Sequence, residues 1–265
     1  GLRSRAFTAD DTDPEINSFS LNMNNGQISM TFSETVDVST FASQYLNLQS
    51  EAANTTTDVV ILQALTASAV ASSVDGPTLT ASLSIYDVNW LKNQLSLATD
   101  TTNTFLVVGS GFISDVVPNS VAAVSPGSAL VATAVTPDST PPLLTNYTIN
   151  VDTGMMNFNF NEPVTLSSFD PTAFTIQSDG DLSANGASSF NITGGSTTRS
   201  LDGLQVQLAM LIADVNVLKA DEGLATDIST THLSFAANAV RDTSGNGIVA
   251  VADDTGVQVI DHADD

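Results

Sequence analysis

Cysteine is absent from the 265 residues, lysine and arginine together number 6, histidine occurs twice and tryptophan once. Without cysteine there are no disulfides, thiolate zinc sites or cysteine nucleophiles. With 29 acids against 6 bases the formal charge is −23. So few cations cannot neutralise a nucleic acid backbone or dock on an anionic membrane, which excludes nucleic acid as a partner. No apolar run approaches the roughly 20 residues of a membrane helix, so no membrane insertion is expected. Residues 1–10 lack the apolar stretch of a secretion leader, and the chain is read as a mature or excised piece. Charged residues make up only 13 % of the chain, hydrophobic ones 42 %, and the mean hydropathy is +0.14. That is too apolar for a disordered acidic tail, and the length allows one large domain or two ordinary ones.

What is present is a repeat. Asp87-Val88-Asn89-Trp90-Leu91-Lys92 returns as Asp214-Val215-Asn216-Val217-Leu218-Lys219, and Leu97-Ala98-Thr99-Asp100 as Leu224-Ala225-Thr226-Asp227, both at an offset of 127. Upstream the offset is 128: Gly26, Phe32, Glu34, Val36 and Gln49 match Gly154, Phe160, Glu162, Val164 and Gln177. One residue of loop length separates the two offsets. A proline-rich joint, Thr136-Pro137-Asp138-Ser139-Thr140-Pro141-Pro142, divides the copies as a semi-rigid spacer. This sets a linker at 1–10, modules at 11–137 and 138–262, and a tail at 263–265. The first module has 11 acids against Lys92; the second, through Asp265, has 17 against Arg199, Lys219 and Arg241. The charge therefore belongs to the module type.

Alternating apolar residues predict strands through Phe19/Leu21/Met23, Ile28/Met30/Phe32 and Leu79/Ala81/Leu83/Ile85, matched by Tyr147/Ile149/Val151, Met156/Phe158/Phe160 and Val206/Leu208/Met210/Ile212. Asn24-Asn25-Gly26 and Asp152-Thr153-Gly154 supply the hairpin turns. Further runs fall at 45–48, 59–62, 105–108 and 130–135, and at 174–176, 190–192, 232–235 and 257–260. Roughly seven strands in about 125 residues point to an all-β fold of two tandem immunoglobulin-like β-sandwich modules. The DVNxLK segment breaks the alternation and predicts one short crossover helix per module, with Asp87 or Asp214 as its cap, Val88/Leu91/Leu95 and Val215/Leu218 as its apolar stripe, and Gly223 ending the second copy. Trp90 is expected to be packed rather than presented.

The joint, Phe160-Asn161-Glu162-Pro163-Val164 and Ala239-Val240-Arg241-Asp242-Thr243-Ser244-Gly245-Asn246 together resemble the immunoglobulin-like repeats of bacterial S-layer and large surface proteins. The DxNxLK and LAT segments resemble still more the tandem repeats of very long surface proteins of marine algae and flagellates, including proteins assigned to flagellar hairs. The first module departs from the pattern at Pro14-Glu15, at Thr35, where the second has Pro163, and at Pro118, where the turn glycine is expected. The resemblance implies an extracellular or cell-surface structural protein whose partners are copies of itself or related immunoglobulin-like proteins.

Few residues suggest other chemistry. His232 reads as a strand histidine at the position of Phe105, and His262 lies in the acidic end. No nucleophile elbow, phosphate loop, HExxH or EF-hand loop occurs, so no catalytic residue and no cofactor is assigned, and the chain is not expected to be an enzyme. Calcium is the exception, because hard cations take carboxylate and amide oxygens. The candidate ligands are Asp11, Asp13, Asp138, Asp242 and Asn246, although Asp and Asn also close turns by themselves. Lys92 and Lys219 read either as helix-end cations or as reactive lysines, the first being preferred. Three sequons, at Asn54, Asn146 and Asn191, are glycan acceptors if the chain is secreted by a eukaryote. A glycan-binding or adhesive role is the alternative to assembly; it needs an aromatic platform, and only Trp90, Tyr45, Tyr86 and Tyr147 are offered besides phenylalanine.

Overall fold

The computed structural model describes residues 9–53, 62–65, 69–70, 72 and 74–263. The expected strand at 59–62 falls largely outside them, as do Asn54 and the chain ends. The chain is mostly β and divides into two compact units, Gly1–Asp138 and Ser139–Asp265.

In unit 1 the elements are β1 (Ile16–Asn22), β2 (Gln27–Asp37), β3 (Leu46–Gln49), β4 (Leu62–Ala64), β5 (Ala69–Val70), β6 (Gly76–Ser82), helix α1 (Ile85–Lys92), β7 (Phe105–Val108), β8 (Ser114–Asp115), β9 (Leu130–Val131) and β10 (Ala134–Thr136). One sheet has the order β10-β1-β2-β6-β5, with β8 on β2; the other is β4-β3-β7-β9. The inward phase of both sheets, with Phe19, Leu21, Ile28, Met30, Leu46, Leu48, Leu79 and Leu106, forms one buried core. In the first sheet Ser, Thr, Asn and Gln hold the outward phase of β1, β2 and β6, as a sheet with one wet side requires.

Unit 2 repeats the plan with β11 (Leu144–Asn150), β12 (Met155–Phe160), β13 (Phe174–Gln177), β14 (Ser189–Asn191), β15 (Gly195–Arg199), β16 (Gln205–Met210), helix α2 (Ile212–Ala220), β17 (His232–Phe235), β18 (Val257–Gln258) and β19 (Asp261–Ala263). Its sheets are β15-β16-β12-β11-β19 and β14-β13-β17-β18. The core is more aromatic: Phe158 lies between Tyr147, Phe169 and Phe174, and Phe174 meets Phe235, with centroids 5.0–6.3 Å apart. Tyr147 occupies the place of Phe19, and its hydroxyl donates to Thr231 O at 3.2 Å. Burial pushes that phenol's pKa up.

Both hairpin glycines are required twice over. Gly26 and Gly154 have φ of +63° and +72°, and a Cβ on either would lie 2.7 or 2.6 Å from Cγ2 of Val88 or Val215 on the helix. The turn thus seats the helix.

Four expectations are corrected. The helices begin two residues before the expected cap, so Ile85 and Ile212 are first-turn residues and exposed rather than strand ends. Ser84 is the cap of α1: its Oγ accepts from Asp87 N at 3.1 Å and donates to Asp87 Oδ2 at 2.8 Å. In α2 the cap position is Leu211, which has no side-chain acceptor, and buried Asp214 instead takes the N–H and hydroxyl of Thr193. The apolar stripe ends at Leu91, since Leu95 is 77 % exposed. Gly223 lies beyond the helix end, in a turn in which its N–H donates to Asp221 Oδ1 at 2.9 Å. Finally, the last expected strand of each unit is split. β9 and β18 pair antiparallel with β7 and β17, after which the chain crosses to the other sheet, where β10 and β19 run parallel to β1 and β11.

Where the modules differ in sequence they differ in structure. β2 runs on to Asp37 and pairs with β8 through Val36 and Asp37. With Pro163 in place of Thr35, β12 ends at Phe160 and only the single bridge Val164↔Asp242 remains, because proline has no N–H for the ladder.

Candidate functional site

The LAT-Asp segment after each helix is a structural device. Ala98 and Ala225 are the non-glycine residues with positive φ, +62° and +55°, among the described residues. The aspartate that follows caps a 3-10 turn: Asp100 Oδ1 accepts from Thr102 N at 2.6 Å, and Asp227 Oδ1 from Ser229 N at 2.7 Å. Side-chain hydroxyl donors, then backbone N–H donors, hold Asp100 below the ordinary carboxylate range, and Asp37 and Asp181 are held low in the same way by Ser39 and Ser183. Acids in such places close turns.

The turn before each last strand has the same logic. Asp115 Oδ1 accepts from Val117 N and Asn119 N, both at 2.8 Å, and Oδ2 accepts from Asn119 Nδ2 at 2.8 Å. Asp242 repeats this with Ser244 N, Asn246 N and Asn246 Nδ2 at 2.9, 2.8 and 2.7 Å. Gly245 has φ of +93°, which Pro118 at the matching place cannot adopt, yet the carboxylate anchor is unchanged. Asn246, expected as an oxygen ligand, presents its amide nitrogen to Asp242.

A second set of carboxylates converges on the Asp115 turn. Asp10, Glu34 and Asp115 each place an oxygen within 4.8 Å of the others. Asp10 is exposed, Glu34 half-buried and Asp115 buried. Desolvation raises the Glu34 pKa, and Asp10, Asp115 and Asp13 push it further the same way. Desolvation would also raise Asp115, but the donors from Asn119 and Val117 outweigh it and hold that carboxyl low. Lys92 is the one cation among the described residues of unit 1. It is spent elsewhere: its Nζ lies 3.0 Å from Asp138 Oδ2, and both side chains are buried.

Of the expected ligands, then, Asp138 is held by an ammonium, Asp242 and Asn246 close one turn, and Asp11 and Asp13 are exposed outside the triad. The triad members not anticipated are Asp10, Glu34 and Asp115. The offsets contained them: Glu34 and Asp115 match Glu162 and Asp242, each of which is 2 % exposed. Three hard oxygen donors, one of them the desolvated carboxylate of Glu34, are the chemistry that Ca²⁺ accepts.

The sequons differ in setting. Asn191 is exposed on edge strand β14, with its Nδ2 donating to Thr172 O at 3.1 Å. Asn146 is half-buried and accepts from Asn159 Nδ2 at 2.7 Å. Trp90 is partly buried against the core, while Tyr86 on α1 is 80 % exposed. Lys219 lies 3.4 Å from Asp152 in a solvated pair. Among the described residues no helix is long and apolar enough to cross a membrane. No protein-family model matches the chain, and no curated protein matches it.

Proposed function

We propose that the chain is a pair of immunoglobulin-like modules, structural and non-enzymatic, in a secreted or surface-anchored protein that builds an extracellular filament, flagellar hair, sheath or S-layer with copies of itself or related proteins. The observation that carries this reading is the duplication itself. The residues repeated between units are turn glycines, caps, core positions and loop-closing acids, all of which specify a building block. Electron microscopy of purified chain in seawater-like salt with calcium tests it. Filaments or lattices are expected, and a chain that stays dispersed at every concentration overturns it.

Calcium is proposed as the counterion of the Asp10–Glu34–Asp115 triad, where it would neutralise three like charges at the first joint. Glycans are proposed at Asn191 and the other sequons, and a mass increment there checks this. The exposure of Tyr86 supports the second reading, a glycan-binding stalk module, which retention of monomers on a glycan array would favour.

A further inference from the structure

The outward phase of the three central strands forms a square grid in each unit. In unit 1 its rows are Ser18–Thr31–Thr78, Ser20–Ser29–Thr80 and Asn22–Gln27–Ser82. In unit 2 they are Asn146–Asn159–Gln205, Thr148–Asn157–Gln207 and Asn150–Met155–Ala209. None of these positions is charged, in a chain of net charge −23. At the chain's own charged share of 13 %, roughly two charged residues would be expected across the two grids. The acids of the strands lie outside the grids: Glu34 and Asp37 in the far half of β2, Asp115 in β8, and Asp261 on the edge strand β19, where it pairs with Thr148.

The grid is also ordered. Ser18 and Thr31 share a hydrogen bond of 2.6 Å, and Ser29 and Thr80 one of 3.2 Å. In unit 2, Gln207 donates to Asn157 and Asn157 to Thr148, at 2.9 and 3.1 Å. Gln205 donates to Asn159 and Asn159 to Asn146, at 3.0 and 2.7 Å.

We propose that these uncharged sheet faces are where a second copy of this chain docks. The inference rests on the assembly reading above and names its surface. Two facts select a second copy. Repulsion between molecules this acidic opposes contact everywhere that acids line the surface, and the grids are free of it. Hydroxyls and carboxamides each donate and accept, so a grid of them is complementary to its own duplicate. A neutral glycan would want aromatic planes, and the grids carry none. At about 4.8 Å between strands and 3.3 Å per residue, a five-stranded face offers roughly 400 Å², half of what one partner contributes to a stable interface. Each contact is therefore weak, and the duplication makes it cumulative.

Sedimentation velocity on the full chain in high salt tests this, with thermal melts to confirm that each variant folds. One variant carries Ser29→Glu, Thr31→Glu, Gln205→Glu and Gln207→Glu. The other adds the same charge on exposed loops through Ala123→Glu, Ser128→Glu, Ala252→Glu and Thr255→Glu. The expected result is that the grid variant self-associates about tenfold or more less tightly than the wild type, because facing like charges are costly, while the loop variant stays close to the wild type. Equal weakening in both variants, or an unchanged grid variant, overturns the inference and leaves the assembly reading standing. Grid-dependent binding of a neutral polysaccharide by a monomer overturns it in favour of the glycan. A wild type that remains monomeric at every concentration and salt overturns both readings.

Discussion

At the scale of single residues, identical side chains do unequal work in the two modules. Lys92 and Asp138 form a buried pair, whereas Lys219 and Asp152 form a solvated one. Lys92→Met strips a 3.0 Å partner from a buried carboxylate and is expected to cost about 3–5 kcal/mol in urea unfolding. Lys219→Met should cost less than about 1 kcal/mol. Glu34 gives the sharper test. A carboxyl whose folded pKa is raised favours the fold below its unfolded pKa and loses that contribution as pH rises through the folded value. Glu34→Gln should therefore raise the melting temperature at neutral pH in chelator and abolish the further rise that calcium gives the wild type. A wild type whose melting temperature ignores calcium rules out the cation site. Asp37, Asp100 and Asp181 work in the opposite sense: their lowered pKa values stabilise the fold above the unfolded carboxylate pKa, and that is lost as pH falls through the folded values. Acid unfolding should accordingly begin below the normal carboxylate range, as circular dichroism against pH would show.

Among the elements, the duplication allows each module to serve as a control for the other. Leu211→Ser transplants the Ser84 cap onto α2 and should add about 0.5–1 kcal/mol to its unfolding free energy. Gly26→Ala and Gly154→Ala should each cost about 2–4 kcal/mol, combining left-handed strain with the contact to Val88 or Val215. Val88→Ala should recover part of the Gly26→Ala loss by removing the contact, and a double-mutant cycle measures how much. Most strands and the place of the helix were legible in the sequence, because alternation and turn glycines are local. What stayed hidden depended on long-range contacts. The caps fell three residues before the expected aspartates because Asp87 and Asp214 are buried against Ser84 and Thr193. The split of the last strand escaped notice because 130–135 is one apolar run that serves two sheets. The members of the acid triad stood in the offsets, since Asp10, Glu34 and Asp115 match Asp138, Glu162 and Asp242, but nothing local shows that three acids so far apart in the chain come to lie side by side.

For the molecule as a whole, charge and architecture set a common condition on use. An acidic chain with two separate cores should become more stable as salt rises toward the screening range, and calorimetry across ionic strength checks this. The parallel pairing of first and last strands adds a mechanical side. In each unit the chain enters along β1 or β11 and leaves along β10 or β19, at the opposite end of the same pair. Tension between the two ends slides these strands past one another. The rungs, which include Thr133 N to Phe19 O and Met23 N to Thr136 O in unit 1 and Ile260 N to Tyr147 O and Val151 N to Ala263 O in unit 2, must then yield together instead of unzipping in turn. Each unit is thus stiffest along the direction in which a thread is pulled, and it gives way at a rate fixed by its unfolding barrier rather than by its equilibrium stability.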